Sequence, residues 1–229
     1  MKFSYNASRL LISACFLWAG HAQANLLTNG GFENTGGTFV GDVNHVDNLS
    51  SGSTAIPGWT TINGVSTAWI ENGNPYGISA SNGSFFLDLT SYNNHSTYGG
   101  VAQSVTGLTV GASYVLTFDL GYGGNSILFG GPVSAQVNAG SSSGTFTSGS
   151  GTPNPAVWDS KTFTFTATSD TEVLSITGLS TAGGFYIGID NADLELAAVA
   201  PVPEPGTIVL LGTSLFGFGW LARRRTRVV

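Results

Sequence analysis

From residue 161 the chain reads Lys-Thr-Phe-Thr-Phe-Thr. Phe163 and Phe165 face one way and Thr162, Thr164 and Thr166 the other, the period of two that marks a half-buried strand. Ser84–Thr90 (SFFLDLT) and Ser113–Leu120 (SYVLTFDL) carry β-branched and aromatic residues in similar runs, and both are predicted as strands. Clusters such as Asn72-Gly73-Asn74-Pro75 and Gly121-Tyr122-Gly123-Gly124-Asn125 punctuate them as turns. No stretch holds a helical period, and no repeat recurs at a fixed spacing. The prediction is one all-β domain over residues 25–200, closed as a two-sheet sandwich. Residues 138–155 are low in complexity and read either as a long exposed loop or as a flexible hairpin.

The two ends show other patterns. Lys2 and Arg9 precede a short apolar run, Leu10–Ala19, and Ala22-Gln23-Ala24 offers a small-x-small cleavage site. Residues 1–24 therefore read as a secretory signal. A competing reading takes Ile12-Ser13-Ala14-Cys15 as a lipoprotein box with Cys15 lipidated. Cys15 is the only cysteine, so cleavage after Ala24 leaves a domain without disulfide or thiol chemistry. At the other end, residues 201–206 form a proline-rich linker. Residues 207–222 are apolar apart from hydroxyls, and 223–229 are basic. Sixteen helical residues reach about 24 Å, a short transmembrane helix, and the arginines after it hold its end on the cytoplasmic side.

Charge sharpens the picture. Twelve of the 13 acidic residues, but only Lys161 of the seven basic ones, fall within 25–200, a formal charge of −11. Such a surface repels nucleic acid and anionic lipid, and it suits extracellular solubility and divalent cations. Chemistry is sparse. No GxSxG run leads from a strand into a helical period, no carboxylate pair is marked, and His45 and His95 stand in no zinc motif. A non-catalytic role is expected. Trp59, Trp69, Tyr76, Tyr92, Tyr98, Tyr122 and Trp158 sit in polar, glycine-rich contexts, where aromatic faces stack on sugar rings and amides read hydroxyls. Trp59 follows Pro57-Gly58 and begins a strand. The loop carrying Tyr92, Asn93, Asn94, His95 and Tyr98 is the better ligand candidate, against the alternative of a plain solvent-exposed loop.

Two resemblances extend these readings. Pro203-Glu204-Pro205, then the short span, then Arg223, Arg224 and Arg225 at the end resemble the PEP-CTERM sorting signal. The resemblance implies export in a Gram-negative bacterium and an inner-membrane-anchored precursor. It further implies processing by an exosortase-type enzyme and delivery to the cell surface or an exopolysaccharide-rich matrix. Physically, the two prolines keep the segment extended and open to a processing enzyme.

Within the domain the order of pieces is Asn25-Leu-Leu-Thr-Asn-Gly-Gly-Phe-Glu33, Pro57-Gly58-Trp59, the SFFLDL run, Gly100–Leu108 and Phe185–Glu195. This order resembles the galactose-binding-like jelly roll of carbohydrate-binding modules and DUF642-type proteins. The resemblance implies first and last strands lying close together, often clamped by structural calcium. Glu33 and Asp190 match the side-chain ligand positions, with carbonyls near Asn29, Gly31 and Asp193 completing the shell; the alternative is two ordinary loop-edge carboxylates. Asp88 and Asp119 read as strand-end residues. Function then divides between a surface carbohydrate- or exopolysaccharide-binding module and a structural envelope or biofilm-matrix protein with no discrete sugar ligand.

Overall fold

The computed structural model describes residues 24–64, 66–90, 97–181 and 183–198. Outside them lie the signal segment before Ala24, Tyr92, Asn93, Asn94 and His95 of the candidate loop, and the PEP motif with the apolar segment and arginines after it.

Eleven strands occur among the described residues: β1 (Val46–Ser50), β2 (Thr60–Ile62), β3 (Ser66–Glu71), β4 (Phe85–Asp88), β5 (Gly100–Thr106), β6 (Ser113–Tyr122), β7 (Val133–Ala139), β8 (Ser142–Thr147), β9 (Val157–Thr166), β10 (Thr171–Thr181) and β11 (Gly188–Leu196). A single 3-10 turn, Ile127–Phe129, is the only helical element among them. One sheet has six strands in the order β1-β3-β4-β11-β6-β9, the other five in the order β2-β5-β10-β7-β8. The two-sheet sandwich expected from the residue pattern, and the jelly roll that the resemblance implies, is the fold observed.

The alternation decides which side chains meet between the sheets. Tyr114, Leu116, Phe118 and Leu120 of β6 and Phe163 and Phe165 of β9 point inward and are buried, while Thr162, Thr164 and Thr166 face solvent. From the other sheet come Val101, Val105, Val133, Ala135, Val137, Leu174 and Ile176. Small residues on the five-stranded side oppose aromatics on the six-stranded side, so the layers interdigitate at the close packing of protein interiors. A smaller cluster, with Phe86, Ile70 and Tyr186, covers part of the six-stranded sheet's outer face, where Tyr76, Phe129 and Trp158 pack against it.

Two expectations are corrected and one open choice is decided. Residues 25–33 are not a strand: positive φ at Asn29 (56°) and Phe32 (60°) turns the chain out of the extended region. The low-complexity stretch after Asn138 resolves into the β7–β8 hairpin. Asp119 lies inside β6 rather than at a strand end.

Candidate functional site

The segment 25–33 joins the two chain ends of the domain. The Leu26 amide donates to the Leu194 carbonyl, and the Ala192 amide to that of Gly30. Asn25 Nδ2 donates to the Ala192 carbonyl, while Asn25 Oδ1 accepts from Leu194 N. On the other side, Gln103 of β5 exchanges two hydrogen bonds with the Thr28 backbone. First and last segments are therefore neighbours, as the jelly-roll resemblance implies.

This closure brings Glu33 and Asp190 to one loop. Glu33 accepts from the amides of Ser84 (2.9 and 3.0 Å) and Phe85 (2.8 Å). Asp190 accepts from the amides of Asn82 (3.0 Å) and Asn191 (2.6 Å). Gly83, at φ +73°, lies so close to Glu33 that a Cβ would stand 2.3 Å from its carboxyl carbon. Asp190 is fully buried, and burial raises its pKa to about 7 against the hydrogen bonds it accepts, with the Glu33 charge adding to the rise.

Two observations suit a divalent cation here, and a third counts against a site made of side chains alone. Asp193 Oδ1, on the same face of β11, is buried without a hydrogen-bond partner. Lys161, the sole Lys or Arg between residues 25 and 200, is taken up by Asp159 at 3.5 Å. No group of three or more His, Cys, Asp or Glu side chains gathers for a metal among the described residues, so the remaining oxygens have to be carbonyls. Hard-oxygen coordination accepts such a mixed set.

Charge divides sharply between the sheets. The strands of the six-stranded sheet carry Asp47, Glu71, Asp88, Asp119, Asp159, Asp190, Asp193 and Glu195. The five-stranded sheet has one charged residue, Glu172, and its side chain is buried. The outer face of that sheet is uncharged, with hydroxyls and amides interspersed with Ile62, Ala102 and the exposed Val173. One row crosses it from Thr60 past Ala102 to Ser175, Asn138 and Ser143. The next runs from Ile62 past Gly100 to Thr177, Gln136 and Thr145. Strands about 4.8 Å apart set Ser175, Asn138 and Ser143 in one row and Thr177, Gln136 and Thr145 in the next side by side as donors and acceptors, and Asn138 Nδ2 points at Ser175 Oγ (3.4 Å).

The aromatic candidates scatter. Trp59 is core, its Nε1 donating to the Asn29 carbonyl, and Trp69 and Tyr122 are buried too. Tyr98 is half-buried and packs on the main core. Trp158 alone of the three described tryptophans reaches solvent. The polar ladder was missed from sequence, although Val133-Ser-Ala-Gln-Val-Asn-Ala139 alternates strictly. Its inward residues are too small to stand out by hydropathy.

Known proteins bear on both parts of the chain. Residues 201–225 match the PEP-CTERM protein-sorting motif, which implies export and sorting through a membrane-anchored precursor. Halomucin of Haloquadratum walsbyi is 35% identical over 173 residues, 75% of this chain but 2% of that protein, so the chain spans a small fraction of this curated relative's length. Among solved structures, TmCBM61 in complex with β-1,4-galactotriose aligns with 14% identity and a TM-score of 0.46 over 75% of this chain and 98% of its own. The C-terminal family 22 carbohydrate-binding module of Clostridium thermocellum Xyn10B aligns with 13% identity and a TM-score of 0.41, over 71% and 100%. Residues 25–183, most of the chain, match the family described as protein of unknown function DUF642, and the chain belongs to that family.

Proposed function

We propose that this protein is a non-catalytic, surface-sorted module that binds neutral polysaccharide of the extracellular matrix along the outer face of its five-stranded sheet. The observation that carries this reading is the segregation of charge. A domain of formal charge −11 keeps one whole sheet face free of charge and furnishes it with hydroxyls and amides. Such groups exchange hydrogen bonds with sugar hydroxyls, and an uncharged polymer meets no repulsion there. Affinity electrophoresis of the full chain through neutral and anionic polysaccharides tests it. Retardation is expected in at least one neutral polymer and is expected to weaken in Gln136→Ala and Thr177→Ala. Retardation that both variants leave unchanged overturns the face. No saturable binding to any polymer favours a structural matrix protein instead.

In the same reading Glu33 and Asp190 hold a structural calcium ion that ties the first segment to β11. The buried Asp190 carboxylate, with the exposed Glu33 at the same loop and, among the described residues, no Lys or Arg paired to either, supports this. Binding to the folded state alone adds about 2.7 kcal/mol when calcium is 100 times Kd. Asp190→Ala is expected to melt below the wild type in millimolar calcium and close to it in EDTA, with Glu33→Gln as the milder control. A wild type whose melting ignores calcium removes the site.

Sorting completes the proposal. An exosortase-type enzyme cuts near Pro203-Glu204-Pro205 after the apolar segment and Arg223, Arg224 and Arg225 have held the precursor in the inner membrane. The cell surface or matrix receives the product. An extracellular mature chain whose intact mass still includes Trp220 refutes the cleavage.

A further inference from the structure

We infer that the outer face of the six-stranded sheet carries a second glycan site, for a single neutral sugar residue, built on Trp158, Asp119 and Ser160. The inference rests on the reading of the protein as a polysaccharide binder and adds a site on the opposite side of the sandwich. A module with one site on each side cross-links two polymer chains rather than coating one.

Geometry places the three residues together. In the β6–β9 ladder Gly121 opposes Trp158 and Asp119 opposes Ser160. All four point outward, since Phe118 and Leu120 of the same strand point into the core. A Cβ at Gly121 would lie 2.6–2.9 Å from the Trp158 benzenoid ring, and one at Gly188, on the neighbouring β11, would lie 2.9 Å from Cη2. Two glycines on adjacent strands thus clear the bed on which the indole rests. Trp158 Nε1 donates to the Ser79 carbonyl at 2.9 Å, and Phe86 meets the ring edge-on at 5.8 Å and 78°. The ring is fixed before any ligand arrives, so little side-chain entropy remains to be lost on binding.

The polar half is ordered as well. Ser81 Oγ and Asn191 Nδ2 both donate to Oδ2 of Asp119, and Asn82 Nδ2 donates to Asn191 Oδ1 at 3.4 Å. The chain of donors converges on one carboxylate oxygen. Among the described residues, Asp119 Oδ1 and the exposed Ser160 hydroxyl carry no hydrogen bond. Both stand two residues along the strands from the Trp158–Gly121 pair, about 7 Å away, a distance comparable with one sugar ring. An aromatic surface for the C–H face and a free carboxylate oxygen beside a hydroxyl for neighbouring sugar hydroxyls make a pyranose recognition set. The Asp119 charge and the acidic sheet around it turn away uronates and sulfated sugars.

Trp158 reports on its own site. The full chain is titrated with methyl glycosides of glucose, galactose, mannose and xylose while tryptophan fluorescence and acrylamide quenching are monitored. Trp158→Phe identifies the part of the signal that belongs to this side chain. At least one glycoside is expected to shield Trp158 saturably. Asp119→Asn, which keeps the shape and the Ser81 contact, is expected to weaken that binding about tenfold or more through loss of a charge-assisted hydrogen bond. Gln136→Ala on the far face is expected to leave it unchanged. The site is overturned if no glycoside shields Trp158, or if Asp119→Asn binds like the wild type. Polymer retardation lost in Gln136→Ala alone, with Trp158 unshielded, rejects this second site and leaves the first standing.

Discussion

Gly30 and Gly31 are neighbours with opposite tolerances. A Cβ on Gly30 would stand 1.9 Å from the Ala192 carbonyl oxygen, backbone against backbone, whereas on Gly31 the nearest atom is Glu33 Cγ at 3.8 Å. The first contact has no flexible partner that can yield. Gly30→Ala is expected to lower the melting temperature by the equivalent of about 3 kcal/mol and Gly31→Ala by less than about 1 kcal/mol; equal melts for the two variants refute the close approach of residues 25–33 to β11. The Asn-Gly-Gly-Phe-Glu run was legible in the sequence as a marker of this segment, but which glycine bears the contact was not, because the contact spans 162 positions between Gly30 and Ala192. The tryptophans give the same lesson. Trp59, Trp69 and Trp158 lie in similar polar and glycine-rich surroundings. Their different depths depend on cross-strand neighbours that local composition does not encode.

At the level of elements, long strands with large inward residues declared themselves and short strands with small ones did not. β6 and β9 announce their inward faces through Tyr114, Leu116, Phe118, Phe163 and Phe165. β8 offers only Ser142, Gly144 and Phe146 on its inner side, so its six residues looked equally like a loop. Phe146 is what docks it, meeting Phe118 edge-on at 5.3 Å and Phe163 at 6.2 Å. Phe146→Ala should therefore loosen this edge strand in preference to the rest of the sheet. Hydrogen exchange read by mass spectrometry is expected to show lost protection across residues 142–147, with β10 retaining most of its own. A uniform loss across both strands would mean that Phe146 supports the whole core rather than one edge.

Over the whole molecule, acidity is concentrated on one sheet, and two of its carboxylates are deeply buried. Burial raises Asp88 to about 6 from the ordinary 3.8, although the Ile187 and Thr90 amides and the Thr90 hydroxyl all donate to it. The folded state therefore binds a proton more tightly than the unfolded chain. The stability this adds is complete below about pH 4 and is lost as pH rises through 6, a difference on the order of 3 kcal/mol. Asp190 extends the decline to about pH 7. In calcium-free buffer the denaturation midpoint is expected to fall between pH 4.5 and pH 8, and Asp88→Asn to flatten the lower part of that slope; a midpoint that rises with pH contradicts the burial of these groups. The adjacency of the domain's two ends has a mechanical consequence. If the protein is held through the chain beyond Leu196, tension enters at β11. That strand is not at an edge: β4 and β6 flank it, and residues 25–30 hydrogen-bond to its far end. Pulling along it loads ladders on both sides in shear, so many hydrogen bonds share the force and must fail together. A strand at the rim would peel away bond by bond under a far smaller pull.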